Sequence, residues 1–338
     1  MGALSKVLDS LNTLQDTRSN MAVIRAIFGL IILCLVAASA GAGAAPQSSE
    51  LVVAVNATTI ESFPLFAAVS ELAKDSSSPR IRLVPVANGR IAMSQLVSGM
   101  ADAATGSETQ ALLNSVMDPR IRIVLTLAEC RYRMVARRSA GIRRVADLKR
   151  KRVAVTANTS SVYFLAQMLR HSGLQESDVQ MVNLEGPAMP GALKAGDVDA
   201  VAIWEPHAQN SLEAAAGDAV VFQDGDVYTE YFNLNSRTDV LMNRDKRAAM
   251  TALTKAISRA SERIRTRSAE MIPVLSPNVS LPARTVSAVW PQFRFPAALT
   301  AKLETVLQEV EPWVAANQQR SPRARRELTA LIDNTVLK

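Results

Sequence analysis

Four residues of chemically useful types stand side by side after an apolar run. The segment VDAVAIWEPHAQ, residues 198–209, is typical of a buried strand that delivers Trp204, Glu205, Pro206 and His207 in succession. This cluster could be an active site, a ligand cradle or the start of a helix. The last alternative is plausible because proline fits a first helical turn and a glutamate is favoured near the positive end of a helix.

The rest of the chain offers no partner for catalysis at His207. The other histidine, His171, stands before Gly173 near the end of a predicted helix, and no H-x-x-x-H or C-x-x-C spacing indicates a zinc site. The stretch GSE at residues 106–108 does not complete G-x-S-x-G, and no Walker A or dinucleotide glycine fingerprint occurs. We therefore predict a protein without catalytic residues, metal or cofactor, and not an enzyme.

Strand and helix patterns alternate along two stretches of the chain. The first runs from ELVVAVNATT (50–59) to RIRIVLTLA (120–128), and the second from KRVAVTA (151–157) to VDAVAIW (198–204). Buried strands that alternate with amphipathic helices predict parallel sheets with crossover helices. The sequence thus predicts two α/β units in series, followed from about Arg237 by an almost wholly helical pattern.

Ligands in open α/β sheets bind beyond the carboxyl ends of the strands, where helix amino termini also point. Four loops meet this description, and the most informative is TANTSS, residues 156–161, where hydroxyls and backbone N–H groups gather at a helix start. Such a loop suits a sulfonate, nitrate, carboxylate or phosphate, although simple N-capping would use the same residues. The candidate ligand-binding residues are Thr58, Thr59, Thr105, Asn158, Thr159, Ser160, Ser161, Trp204 and Glu205.

The chain begins with a segment typical of a secretory signal peptide. Residues 26–45 contain no charge and end in small residues, with Ala42 and Ala44 at the −3 and −1 places of a cleavage site. We therefore expect residues 1–44 to be removed. Met21 could equally be the true start, and an uncleaved anchor is the alternative because twenty apolar residues can just span a bilayer.

Composition narrows the class of protein further. The 338 residues are 48% hydrophobic and 20% charged, which predicts a globular chain long enough for two lobes. Without residues 1–44 the remaining cysteine is Cys130, so no intramolecular disulfide can form. The net charge of +7 could attract nucleic acid, but predicted export and only 4% aromatic residues argue against that partner. We expect a monomer in the periplasm.

Several segments resemble the nitrate/sulfonate/taurine-type solute-binding proteins of ABC importers. The resemblance covers roughly residues 50–265 and is most specific at DLKRKRVAV (147–155) and at the G-D-V-D-A-x-x-x-W-E-P block (196–206). The first helix departs from the family pattern where it ends in AKDSSSPR (73–80).

This resemblance implies the α/β fold of a type II periplasmic binding protein. Each of two lobes would be a mixed sheet flanked by helices, and a two-segment hinge would join them. Lobe 1 would comprise residues 45–133 plus 237–338, and lobe 2 residues 134–236, with crossings near CRYRMVA and YFNLNSR. The four loops would then line the cleft between the lobes.

The function implied is capture of a small anionic or zwitterionic solute, an aliphatic sulfonate or taurine, and its delivery to an ABC permease in the inner membrane. Trp204 would form an apolar wall, and Glu205 would pair with an amine if it faces the cleft. Open alternatives are nitrate, bicarbonate or a pyrimidine as ligand, and a sensing role at a membrane receptor. A thiamine-pyrimidine synthase shares this fold, but its cysteine-rich iron site has no counterpart among two cysteines.

Overall fold

The computed structural model describes residues 50–224 and 227–337. The predicted signal segment, residues 1–44 with its alternative start at Met21, lies outside the described residues. Within the described part, no helix combines the length and the apolar character needed to cross a membrane.

The strands of the described residues form two sheets. In chain order they are β1 Leu51–Asn56, β2 Ile81–Val86, β3 Ala103–Ser107, β4 Ile121–Arg131, β5 Arg133–Arg137, β6 Arg152–Val155, β7 Gln180–Asn183, β8 Ala200–Ile203, β9 Ala219–Phe222, β10 Thr229–Arg237 and β11 Phe293–Arg294.

Helices connect these strands and fill the carboxyl-terminal part. In chain order they are α1 Phe63–Leu72, α2 Gly89–Val97, α3 Glu108–Met117, α4 Ser160–His171, α5 Met189–Ala195, α6 His207–Ala215, α7 Thr238–Met242, α8 Arg244–Thr266, α9 Ser268–Leu275, α10 Ala283–Val289, α11 Ala301–Asn317 and α12 Arg325–Thr329.

The first sheet has the order β11-β4-β10-β3-β1-β2. Strands β2, β1 and β3 are parallel, whereas β10 runs antiparallel between β3 and β4. β1 is an almost unbroken apolar run and is buried along most of its length, as expected for a central parallel strand. The carboxyl ends of β1 and β3 therefore meet at one edge of this sheet.

The second sheet repeats that plan with the order β7-β6-β8-β5-β9. β7, β6 and β8 are parallel, and β5 pairs antiparallel with both β8 and β9. The predicted class of two mixed sheets flanked by helices is confirmed. The antiparallel strand β5 of the second sheet comes directly after the first crossing, and the antiparallel strand β10 of the first sheet comes directly after the second. The chain therefore passes between the two sheets twice.

One of the two crossings between the lobes lies at a different place from the one predicted. The chain leaves the first sheet at Tyr132, between β4 and β5, as expected from CRYRMVA. It returns between Phe222 and Thr229, because the whole YFNLNSR stretch belongs to β10 of the first sheet. The resemblance to solute-binding proteins implied a crossing near that stretch. Its asparagines are buried, however, and pair with partners inside the sheet, such as Thr126.

The carboxyl-terminal helices complete the first lobe and touch the second. Helix α8 packs on α1, and α11 packs on α3. Inside α11, Glu311 is buried and binds the guanidinium groups of Arg320 and Arg323. Although burial raises the pKa of Glu311, these two arginines lower it to about 2. The indole N–H of Trp313 donates to Glu176 of the second lobe at 3.0 Å.

Candidate ligand cavity where the two sheets meet

A cavity of about 20 Å³ lies where strand ends of both sheets meet. Ligands of open α/β sheets are expected at this position, beyond the carboxyl ends of the parallel strands. The wall comes from both lobes and from the first crossing. It consists of Asn56, Glu61, Gly89, Arg90, Ser107, Tyr132, Thr159, Ser160, Trp204, Glu230 and Phe232.

Three of the predicted residues reach this wall, namely Thr159, Ser160 and Trp204. Trp204 follows β8, is 6% exposed and lies edge-on near Tyr132, with ring centroids 6.3 Å apart. No acceptor binds its indole Nε1–H, which is buried. An apolar face with one free donor is thus available to a ligand.

The TANTSS loop holds its own hydroxyls in place. Thr159 is the N-cap of α4, since its Oγ1 accepts from the N–H of Ser161 at 3.2 Å. The hydroxyl of Ser161 donates to the carbonyl of Ala202 at 2.7 Å and does not reach the cavity wall. Asn158 has a left-handed backbone with φ of 57°, and its carbonyl accepts from the Gln110 amide. Helix capping and other internal hydrogen bonds therefore use several of the polar groups that the sequence suggested for binding an anion.

The predicted threonines of the first lobe are also engaged elsewhere. Thr58 donates to the carbonyl of Ala87 at 3.0 Å, and Thr105 accepts from the Asn56 N–H at 2.9 Å. Thr59 is buried and donates to a carboxylate oxygen of Glu61. None of the three lies on the wall, although Thr59 orients a residue that does.

Glu205 points into protein, which answers whether it faces the cleft. It is fully buried, forms an ion pair with Nε of Arg133 and accepts from the N–H of Gln209 at 3.1 Å. Burial raises the pKa of Glu205 while Arg133 lowers it, and the net direction is upward. This carboxylate binds Arg133 and the first turn of α6 and does not lie on the cavity wall.

His207 begins α6 behind the same wall and is 6% exposed. Burial lowers the pKa of its imidazole to about 4, so the ring is neutral at physiological pH. The ring packs so closely on Gly186 that a Cβ there would lie 2.4 Å from its Cδ2. Among the described residues, no group of three or more His, Cys, Asp and Glu side chains could hold a metal ion.

The sequence reasoning missed the most unusual wall residues, Glu61 and Glu230. Glu61 is 1% exposed in a single 3-10 turn after β1, and Glu230 is 4% exposed near the start of β10. Burial, followed by the neighbouring charge of Glu230, raises the pKa of Glu61 well above its usual range. Burial also raises the pKa of Glu230. Only the position of Glu61 in a strand-end loop could have signalled either residue.

Glu230 is part of a hydrogen-bonded network that joins the lobes. The hydroxyls of Tyr132 and Ser160 donate to its Oε1 at 2.6 and 2.9 Å, and these two hydroxyls lie 2.7 Å apart. Tyr132 comes from the first crossing and Ser160 from the second lobe. The network therefore couples the cavity wall to the relative position of the two sheets.

Hydrogen bonds between side chains of the two lobes lie beside the cavity. Arg90 and Asn88, at the start of α2, both donate to the carboxylate of Glu185 in the second lobe at 3.0 Å. Arg90 also lies on the wall, and its buried Nε has no acceptor. The two lobes are therefore in contact around the cavity, as in the closed form of a two-lobed binding protein.

Comparison with known proteins places these features in a family. A family model described as NMT1/THI5 like matches residues 80–269. A putative aliphatic sulfonates-binding protein of Escherichia coli K12 is 30% identical over 182 residues, 53% of this chain and 53% of that protein. The taurine-binding periplasmic protein of the same strain is 37% identical over 84 residues, 25% of this chain and 23% of that protein. The chain thus spans about half or less of these relatives.

Solved structures share the fold over a greater length. The crystal structure of the periplasmic aliphatic sulphonate-binding protein of E. coli superposes with a TM-score of 0.70 and 20% identity, covering 86% of this chain and 99% of that chain. The desulfurization enzyme DSZB superposes with a TM-score of 0.62 and 16% identity, covering 85% of this chain and 97% of the enzyme. The fold therefore accommodates both binding and catalysis.

Proposed function

Because the chain belongs to the NMT1/THI5-like family, we propose that it is the solute-binding protein of an ABC importer. It captures a small organic sulfonate or a zwitterion such as taurine between its lobes and delivers the solute to a membrane permease. It acts as a monomer in the periplasm, after export by its amino-terminal segment.

The observation that carries this proposal is the cavity wall itself. Thr159, Ser160 and Trp204 come from the second lobe, whereas Asn56 and Arg90 come from the first. A solute held by residues of both lobes favours the closed arrangement, because closure completes its contacts and removes it from water. The same closure would present one shape to a permease only when solute is bound.

We favour binding over catalysis because neither Cys130 nor His207 is placed to act as a nucleophile or as a base. Cys130 is buried and absent from the cavity wall, and burial raises the pKa of its thiol well above the ordinary value. A thiol with a raised pKa is a poor nucleophile because the thiolate is the reactive form. His207 is neutral and packed against glycine, so it is not poised to activate a hydroxyl either.

Isothermal titration of the purified protein tests this function. The panel is taurine, ethanesulfonate, nitrate, bicarbonate and a pyrimidine, with Trp204→Ala and Ser160→Ala as variants and Trp204→Phe as the conservative match. We expect one sulfonate or amino-sulfonate to bind with one-to-one stoichiometry. Removing the indole should weaken binding by about 10- to 100-fold, as loss of a buried aromatic contact does.

Two results would contradict the proposal in different ways. If no member of the panel binds wild-type protein, the solute class is wrong. If binding occurs but neither Trp204→Ala nor Ser160→Ala changes the affinity, the ligand does not occupy this cavity. Thermal melts of each variant serve as the folding control.

A further inference from the structure

Two carboxylates on the cavity wall have no positive charge to compensate them. Glu61 and Glu230 are almost fully buried and lie within hydrogen-bonding reach of each other, which requires a proton between them. Within residues 50–224 and 227–337, neither forms an ion pair with lysine or arginine, in contrast to Glu205 with Arg133. Burying two like charges without a counterion is costly, so such pairs need another role to explain them.

The wall of the same cavity also carries buried polar atoms that no hydroxyl, N–H group or carbonyl of the described residues pairs. No hydroxyl or N–H group donates to Oε1 of Glu61, although this residue is 1% exposed. Across the wall, the indole Nε1–H of Trp204 has no acceptor. Leaving a buried polar atom unpaired is energetically costly. A group that donates to Glu61 and another that accepts from Trp204 would remove both costs.

We propose that Glu61 and Glu230 form the binding site for a protonated primary amine of the solute. This inference rests on the proposed function and narrows it, because the cleft would then select amine-bearing acids over plain sulfonates. The cavity volume of about 20 Å³ admits one group of the size of a water molecule or an ammonium head.

The acid group of such a solute finds donors on the other side of the wall. The buried Nε of Arg90 and the Nε1–H of Trp204 are both free of protein acceptors. Arg90 also contacts the second lobe, because its Nη2 lies 3.0 Å from Oε1 of Glu185. The wall is therefore polarised, with an acidic end at Glu61 and a donor-rich end at Arg90, which matches a short zwitterion in one orientation.

The number of protons released on binding provides a second measurable consequence of the amine site. Before binding, the Glu61–Glu230 pair shares one proton; when an ammonium group arrives with its own three protons, the shared proton leaves to solvent and both carboxylates are ionised. Burial favours the protonated form of the pair, and among the described residues Arg90 of the same wall forms its ion pair with Glu185 and not with Glu61 or Glu230. The titratable, charged or hydroxyl groups around the pair are Thr59, Arg90, Glu108, Cys130, Tyr132, Ser160, Glu205 and Tyr228.

The test is titration of the whole protein with a matched pair of probes. 2-Aminoethanesulfonate and ethanesulfonate differ only in the amine, and both are measured at pH 7.5 in phosphate and in imidazole, two buffers without a primary amine whose ionisation enthalpies differ. We expect the amine to improve wild-type affinity about 100-fold, as for a desolvated charge pair, with release of up to about one proton. In Glu61→Gln and Glu230→Gln this preference falls below about 10-fold, whereas the exposed control Glu213→Gln keeps it.

The outcomes separate this inference from the function on which it rests. If wild-type protein binds ethanesulfonate as tightly as the amine, the amine site is refuted while the solute-binding function stands. If neither probe binds, both fail. If the preference survives in both glutamine variants without a change in proton release, the amine lies elsewhere. Melting temperatures at or above that of wild type show that the variants fold.

Discussion

Two groups of buried carboxylates lie next to each other beside the cleft and differ in how their charge is balanced. In the second lobe, Glu205 forms an ion pair with Arg133 and accepts a hydrogen bond from the backbone N–H of Gln209. In the first lobe, Glu61 and Glu230 have each other and a few hydroxyls. The backbone carbonyl of Glu205 accepts from Thr59, so the two groups share one neighbour. The difference separates a carboxylate that supports the fold from carboxylates left for a ligand.

The two groups should therefore respond oppositely to removal of charge. A matched ion pair that loses one partner leaves the other charge buried and unpaired, which destabilises the fold. An unmatched pair that loses one carboxyl loses a repulsion and a desolvation cost instead. Stability and binding should consequently be affected by different substitutions.

The largest effect is expected from Glu205→Gln. The guanidinium of Arg133, whose side chain is 10% exposed, would lose its carboxylate, and the free energy of unfolding should fall by about 3 kcal/mol. Urea denaturation at pH 7.5 measures this change. Glu213→Gln on the exposed face of α6 is the matched control and should stay within about 0.5 kcal/mol of wild type. If Glu205→Gln and Glu213→Gln had equal stability, the ion pair of Glu205 would not stabilise the fold, and the proposed difference from Glu61 and Glu230 would be wrong.

A smaller effect of opposite sign is expected from Glu61→Gln without ligand. The pKa of Glu61 lies above its ordinary value of 4.5, so folded protein holds protons that unfolded chains release as the pH rises. The free energy of unfolding of wild type should therefore decline as the pH rises above about 4.5, until the folded pair ionises. The variant should decline less and exceed wild type by about 1 kcal/mol at pH 8.

Denaturation curves from pH 5 to pH 8 measure both slopes. Glu213→Gln again serves as control and should follow wild type. A steeper decline in Glu61→Gln than in wild type would mean that the Glu61 carboxyl stabilises the empty protein, contrary to this account.

Much of the scaffold follows from the sequence because its signals are local. The apolar run of β1 and the TANTSS entry into α4 are both readable from a few adjacent residues. Trp204, predicted to contact the ligand, lies on the cavity wall, as expected of a residue that ends a buried strand, because strand ends share one edge of a sheet. The return crossing was misplaced because β10 pairs with β3 and β4, which lie about a hundred residues earlier in the chain.

The chemistry of the site was less accessible. Glu61 and Glu230 are separated by 169 positions and look like surface carboxylates, since sequence does not show which charged side chains are buried. Conversely, the hydroxyls of Thr59 and Ser161 suggested an anion site, but their hydrogen-bonding capacity is used within the fold. Pairing across distant segments, not residue type, decides which polar groups remain available.

The central claim is that a solute is held in the cavity between the lobes, and a crystal structure of the protein grown with 2-aminoethanesulfonate tests it most directly. The account predicts density between Trp204 and Glu61, with the amine toward the Glu61–Glu230 pair and the sulfonate toward Arg90. Density instead in the separate basic pocket lined by Arg131, Arg294 and Lys302, with an empty cavity, would contradict it.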